Sequence, residues 1–101
     1  MSGHFIVIPA GDEPAKVVRC EEKGSWPLET AQKLVGGYVE LIRVKVDGTI
    51  RDALVDEDGI SKGKPINQRA TKLYKYSNIV GTMVIWIPDR RVRKPAVATI
   101  V

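Results

Sequence analysis

One stretch decides the fold of this chain: Leu34-Val35-Gly36-Gly37-Tyr38-Val39-Glu40. Apolar residues recur at helical spacing from Leu28 to Val35, which predicts a short amphipathic helix. Gly36 then supplies the left-handed residue that ends such a helix without a clash at Cβ. An alternating pattern begins at Tyr38 and predicts a strand. The stretch therefore defines architecture, and it carries no motif for a reaction.

The predicted strand continues from Tyr38 to Val46, with alternate side chains on opposite faces. The dipeptide Asp47-Gly48 follows it and favours a two-residue hairpin turn, because both residue types tolerate a positive φ. The returning strand is predicted over 49–55. The acidic residues 56–58 and the glycine after them then predict a second, solvated turn.

The chain before the helix predicts a pair of strands. The apolar run 5–8 ends in a turn-forming Pro-Ala-Gly sequence, and residues 15–20 are expected to pair back on it as a hairpin. Ser25 is placed to cap the main helix, which is expected to begin near Pro27, since proline fits the first helical turn.

The chain after the acidic turn predicts a second short helix and one more strong strand. Asn67 favours a helix start, and the helix is expected to run through Leu73. Residues 79–87 predict a core strand in which Gly81 marks a bulge or a close backbone approach. We therefore expect an α+β fold, a twisted and mainly antiparallel sheet of about five or six strands with one main helix packed on it.

Composition indicates one small domain over residues 1–101. The chain is 44% hydrophobic and 28% charged, which is the ordinary mix for a soluble globular protein. Its longest apolar run, 83–87, is too short to cross a bilayer, and the N-terminus shows no secretory signal. Cys20 is the only cysteine, which fits a reducing cytoplasm.

The order of these segments resembles a family of small uncharacterised phage and prophage proteins, classed as a domain of unknown function. The resemblance rests on residues 34–40, the acidic turn 56–59, Pro65-Ile66-Asn67 with Ala70 after it, and Ile79-Val80-Gly81. It covers roughly residues 4–87, so a basic loop and an edge strand over 88–101 look like an extension. The resemblance implies a cytoplasmic protein of an infected or lysogenic bacterial host, and it transfers no known activity and no established catalytic residues.

Side chains suited to catalysis are scarce. His4 is the only histidine and lies beside the N-terminus, while Cys20 ends a β-branched strand with no charged activator nearby in sequence. The acidic residues 56–58 are adjacent, whereas calcium loops spread their oxygen ligands over about a dozen residues. We therefore expect a protein that is not an enzyme and has no metal or cofactor.

Positive charge is concentrated in the second half of the chain. The net charge is +4, and residues 62–94 carry nine Lys and Arg residues against the single acid Asp89. We predict an anion or nucleotide site there, with Arg69 and the lysines on phosphate and an aromatic ring on a base. The site residues would be Lys62, Lys64, Asn67, Arg69, Lys72, Tyr74, Tyr76 and Trp86. The alternative is a solvated surface, with Asn67 as a structural cap and the tyrosines as half-buried sheet residues.

A second basic group is predicted to contact a partner, and it comprises Arg90, Arg91, Arg93 and Lys94. An acidic protein surface or a nucleic acid would suit it, and a solvated loop is equally consistent. Apolar residues on both predicted sheet faces, with Met83 and Ile85 beside Leu41 on one of them, also favour a homo-oligomer.

These observations favour a non-enzymatic, phage-type binding protein acting in host takeover or counter-defence. In its concrete form, the protein sequesters a nucleotide-derived signal. The alternatives are a protein–protein inhibitor that uses its basic surface on a host enzyme, and a weak nucleic-acid binder. No membrane partner is expected.

Overall fold

An antiparallel sheet of five strands carries one helix on each face. The structure, a computed structural model, describes residues 2–21 and 27–89. The strands are β1 (Ser2–Ile8), β2 (Lys16–Glu21), β3 (Val39–Val46), β4 (Thr49–Asp56) and β5 (Met83–Pro88), and the helices are α1 (Leu28–Val35) and α2 (Gln68–Tyr74). The strand order is β2-β1-β5-β4-β3. The α+β prediction is confirmed, while the predictions for Ser25 and for residues 90–101 lie outside the described residues.

Helix α1 ends where the quoted stretch predicts. Gly36 has φ +92°, and its N–H donates to the carbonyl of Gln32 at 2.8 Å. Ala31 and Val35 are buried against the sheet. Eight residues make only about two turns, which is marginal for an isolated helix in water, so packing on the sheet must stabilise α1.

The β3–β4 hairpin closes through the predicted two-residue turn. Asp47 and Gly48 have φ values of 50° and 81°, and Val46 lies opposite Thr49. This turn type makes Val46 and Thr49 a hydrogen-bonded pair, and such pairs alternate with pairs that are not bonded. Even-numbered residues of β3 therefore bond to β4, as the 3.0 Å bond from Glu57 N–H to the carbonyl of Tyr38 also indicates.

The odd-numbered residues of β3 consequently direct their backbone N–H and C=O groups away from β4. Of the strands in the described ranges, β3 is the last one on that side of the sheet. Among residues 2–21 and 27–89, no hydrogen bond reaches the outward backbone groups of Arg43 or Lys45. The hairpin thus presents an open edge.

Two apolar cores lie on opposite faces of the sheet. Val84 and Trp86 of β5 belong to the core under α1, and Met83 and Ile85 belong to the core under α2. Register explains the division, because Ala53 pairs with both Ile42 and Ile85 and paired residues share a face. The prediction that Met83 and Ile85 share a face with Leu41 is therefore wrong, and the expected homo-oligomer stays a prediction.

The strand predicted over 79–87 begins only at Met83. Gly81 has φ +75°, which interrupts the extended chain, and its N–H donates to the carbonyl of Pro65 at 2.8 Å. A Cβ atom on Gly81 would lie 2.8 Å from Cδ of Lys64. The group that approaches Gly81 is therefore a lysine side chain and not the backbone that was predicted.

Asn67 joins the end of β1 and the segment before β5 to the start of α2. Its side chain is fully buried, and its Oδ1 accepts a hydrogen bond from the N–H of Ala70 at 3.0 Å, which confirms the predicted helix cap. Its Nδ2 donates to the carbonyls of Ile8 at 2.8 Å and Gly81 at 2.9 Å. The whole amide is thus used inside the fold.

Replacing Asn67 with Ala is expected to lower the free energy of unfolding by about 3 kcal/mol, because a helix cap is lost and two carbonyls lose their donor. Urea denaturation measures this difference. Asn78→Ala is the control, since Asn78 is exposed, and it should change the free energy by less than about 0.5 kcal/mol. Equal losses in the two variants would contradict a structural role for Asn67.

Candidate functional site

The eight residues predicted to form one anion site do not come together. They occupy separate places: Lys62 and Lys64 at Asp56, Arg69 and Lys72 beside the β1–β2 loop, Tyr74 and Tyr76 beside β3, and Asn67 and Trp86 in the interior. Each place has its own geometry and its own chemistry.

Lys62 and Lys64 bind a buried carboxylate. The Asp56 side chain is fully buried, and its Oδ2 lies 2.8 Å from Nζ of Lys62 and 2.6 Å from Nζ of Lys64. Its Oδ1 accepts a hydrogen bond from the N–H of Asp58 at 2.8 Å. The prediction of a solvated acidic turn is therefore wrong for Asp56, which ends β4 in the interior.

The same two ammonium groups also bind the end of α1. Lys62 Nζ donates to the carbonyl of Gly36 at 3.2 Å, and Lys64 Nζ donates to that of Val35 at 3.0 Å. These carbonyls have no partner within the helix and lie at the negative end of its dipole. Gly37 leaves the necessary room, because a Cβ atom there would lie 2.5 Å from Nζ of Lys62. Both lysines therefore hold the fold together.

The pKa of Asp56 records the strength of this arrangement. Burial disfavours the ionised carboxylate and acts to raise the pKa, but hydrogen bonds from Lys62, Lys64 and the N–H of Asp58 outweigh it. The net effect lowers the pKa of Asp56 from 3.8 to about 2. The group is ionised at neutral pH, so it is suited to a structural ion pair and not to proton transfer.

Arg69 is held by the loop between β1 and β2. Its Nη2 donates to the carbonyls of Pro9 at 2.8 Å, Gly11 at 3.0 Å and Glu13 at 2.7 Å. Lys72 lies nearby, in a polar surface pocket of about 440 Å³ that Arg69 also lines. Nη2 is thus shared among three backbone carbonyls, and Arg69 fixes the loop.

Trp86 is on the other side of the sheet from the tyrosines. It is 4% exposed, and its ring packs on Phe5 with ring centroids 4.9 Å apart in the core under α1. Tyr74 packs on the core under α2. Trp86 therefore has a packing role. It lies too far from the tyrosines to share a base with them, because the sheet separates the two.

Tyr74 and Tyr76 line a groove of about 360 Å³ at the open edge of the sheet. We call it the β3–α2 groove. The residues that line it are Arg43, Val44, Lys45, Ile50, Leu73, Tyr74, Lys75 and Tyr76. The two tyrosine rings meet edge to face, with centroids 5.2 Å apart and an interplanar angle of 68°. Tyr76 is 83% exposed, so its ring is available to a ligand.

A backbone reversal at Lys75 precedes Tyr76. Lys75 has φ +71°, and its N–H donates to the carbonyl of Thr71 at 2.9 Å, which ends α2. Helices more often place glycine in this left-handed conformation, because a side chain there costs roughly 1 kcal/mol. Strained backbone positions cluster at functional sites, so the conformation of Lys75 marks this end of α2 as a candidate.

The groove carries a net positive charge. Arg43 Nε lies 2.9 Å from Oδ1 of Asp52, and both side chains remain accessible to solvent. Within the part of the chain that the structure describes, Lys45 and Lys75 make no ion pair. Sequence reasoning recognised the tyrosines but missed Arg43 and Lys45, whose only signal is that they alternate on one face of β3.

Three other sequence predictions concern the second basic group, metal binding and membrane spans. Arg90, Arg91, Arg93 and Lys94 lie outside the described residues. In the described ranges, no three His, Cys, Asp or Glu side chains are grouped so that they would hold a metal ion. Neither described helix has the length and apolar character needed to span a membrane.

Replacing Asp56 with Asn is expected to lower the free energy of unfolding by about 3 kcal/mol near neutral pH, because two lysines lose their buried counter-charge. The folded-state pKa of about 2 lies below the unfolded value of 3.8. The contribution of Asp56 to the free energy of unfolding is therefore fully present above pH 3.8 and is lost as the pH falls towards 2.

Urea denaturation of both proteins along this acid range should thus show the difference shrinking as the pH falls. Asp58→Asn, in the same turn, is the matched control and keeps the backbone N–H that binds Asp56. A difference between Asp56→Asn and the parent that stays constant with pH would contradict this account of the ion pair.

The chain matches one known protein family. Residues 1–92 match the family described as Domain of unknown function (DUF3846), so the match includes every described residue. This confirms the resemblance to an uncharacterised domain family, and the phage setting stays a prediction. No curated protein and no solved structure matches the chain. From the match over most of its length, the chain belongs to the DUF3846 family.

Proposed function

We propose that this protein is a non-catalytic binding protein that captures a nucleotide-derived ligand in the β3–α2 groove. One observation carries the proposal: the exposed ring of Tyr76, packed on Tyr74, lies in a groove that Lys75 and the Arg43–Lys45 edge of β3 also line. Aromatic faces and positive charges are the two features that nucleotide binding needs most often.

The tyrosine pair supports stacking of a base. Because Tyr74 is partly buried against the core, it holds Tyr76 from one side while the other surface of Tyr76 faces solvent. Stacking of a base on an aromatic ring contributes about 1–3 kcal/mol and is tolerant of base identity. Edge-to-face contact with Tyr74 already restricts the orientation of the Tyr76 ring. Binding therefore costs less side-chain entropy.

The cations support phosphate binding, and the size of the groove supports a small ligand. The Lys45 side chain leaves β3 on the face under α1, and Lys75 ends α2 on the other face, so a phosphate at the strand edge would have positive charge on both sides of it. The groove volume of about 360 Å³ lies near the lower end of the range for small-molecule pockets. We therefore propose one nucleotide unit as the occupant.

The biological setting of the proposal is host takeover or counter-defence by a phage-encoded protein. It follows the resemblance to phage and prophage proteins. Sequestration requires affinity and no reactive side chain, so a groove of tyrosines and lysines is sufficient for it. The rival function, inhibition of a host protein through the basic residues 90–94, depends on residues outside the described ranges.

A thermal-shift panel tests the proposed function. AMP, cyclic AMP and ADP-ribose are expected to raise the melting temperature. At a ligand concentration of a hundred times Kd, binding adds about 2.7 kcal/mol to the free energy of unfolding. Tyr76→Ala should weaken binding by about 5- to 150-fold, which corresponds to one lost stack, whereas Tyr76→Phe should retain the affinity. Arg69→Ala is the control outside the groove and should leave the affinity unchanged. Failure of every compound to shift the melting temperature would refute the proposal.

Lys75 offers a second test, because strain and charge can be separated there. Lys75→Gly is expected to raise the free energy of unfolding by about 1 kcal/mol through relief of the positive φ, and to weaken nucleotide binding through loss of the ammonium. Lys75→Ala keeps the strain and should weaken binding equally without the gain in stability. Unchanged affinity in both variants would remove Lys75 from the site.

A further inference from the structure

The wall of the β3–α2 groove is the edge of a strand. Arg43, Val44 and Lys45 are consecutive in β3, and all three line the groove. Consecutive side chains on a strand point to opposite faces of the sheet. A cavity that touches all three must therefore run along the strand's edge, where the backbone itself is accessible.

That backbone edge has hydrogen-bonding groups to offer. The hairpin register directs the N–H and C=O of odd-numbered β3 residues outward, and Lys45 is one of them. Polar backbone groups are almost always paired with protein, water or a ligand. In the described residues no protein group pairs with the outward N–H and C=O of Lys45.

Position in the groove distinguishes Lys45 from Arg43, the other odd-numbered residue there. Lys45 lies opposite Ile50, and Ile50 also lines the groove. Arg43 lies opposite Asp52, which does not line it and instead holds the Arg43 side chain at 2.9 Å. The cavity is thus nearer to the Lys45–Ile50 pair.

We propose that the backbone N–H and C=O of Lys45 read the hydrogen-bonding edge of a nucleobase whose face stacks on Tyr76. The inference rests on the proposed function and names how the site selects its ligand. In adenine, the ring nitrogen beside the amino group accepts from the N–H, and the amino group donates to the C=O. The base takes the place that a sixth strand would occupy, and it pairs with a donor and an acceptor of the same residue.

The three parts of a nucleotide then meet three kinds of group. The face of the base meets Tyr76, the edge of the base meets the β3 backbone, and the phosphate meets the ammonium groups of Lys45 and Lys75. An extended peptide would use the same edge by adding a strand, with acidic side chains toward the cations. The exposed ring of Tyr76 and the small groove favour the nucleotide, and the peptide is an outcome of the test.

Calorimetric titration of the whole protein tests the inference with three probes: AMP, N6,N6-dimethyl-AMP and ribose 5-phosphate. The dimethyl compound keeps the base face and the phosphate but lacks the amino hydrogens, so its Kd should be about tenfold weaker than that of AMP. Ribose 5-phosphate lacks the base and should bind more weakly than either.

Two variants isolate the backbone donor. Lys45→Ala removes the charge and keeps the N–H, whereas Lys45→Pro removes both, and proline is tolerated on the outer edge of a sheet. Lys45→Pro should bind AMP about tenfold more weakly than Lys45→Ala. Circular dichroism and the melting temperature show whether the proline variant folds, and if it does not, the comparison of AMP with its dimethyl analogue decides.

The outcomes separate the two proposals. Equal affinity for AMP and its dimethyl analogue overturns the reading of the base edge and leaves nucleotide capture intact. No binding of any nucleotide removes the proposed function itself. Binding of a peptide of alternating Asp and Ile residues, with no nucleotide bound, assigns the edge to a protein partner and overturns both.

Discussion

The buried charge of Asp56 is the constraint on which the rest of the structure depends. An isolated carboxylate in a protein interior is strongly unfavourable, so it requires close cations and hydrogen bonds. Lys62 and Lys64 supply both, and the same ammonium groups bind the last carbonyls of α1. One contact thus joins the end of β4, the loop before α2 and the end of α1, and it sets where the main helix lies on the sheet.

Those features of the fold that depend on backbone geometry were predictable from the sequence. Gly36 and the Asp47-Gly48 turn each adopt the positive φ that their residue types favour, and Asn67 caps α2 through a local side-chain bond. The signals are local, so one sequence suffices to read them. The strand at 79–82 was mispredicted because its apolar residues resemble a strand, while Gly81 turns to make room for a lysine from elsewhere in the chain.

The candidate site was predictable only in part, because a charge pattern does not reveal which charges are neutralised. Lys62, Lys64 and Arg69 look like phosphate ligands in sequence, yet a buried carboxylate and three loop carbonyls occupy them. Tyr74 and Tyr76, which were predicted as stacking surfaces, do lie together, with Tyr76 exposed and Tyr74 partly buried. Their cationic neighbours on β3 are about thirty residues away in sequence, and the reversal at Lys75 that precedes Tyr76 has no local signal.

The residues that hold the scaffold together and the residues that line the groove differ in how many contacts they make. This difference has an evolutionary consequence. Asp56, its two lysines and Asn67 are tied to the scaffold by several bonds each, so most changes there endanger folding. Tyr76 and the Lys45 side chain project from an exposed rim, where substitutions are usually tolerated. Single substitutions there can therefore change the side chains that line the groove, while the outward N–H and C=O groups of β3 stay in place for every residue type except proline.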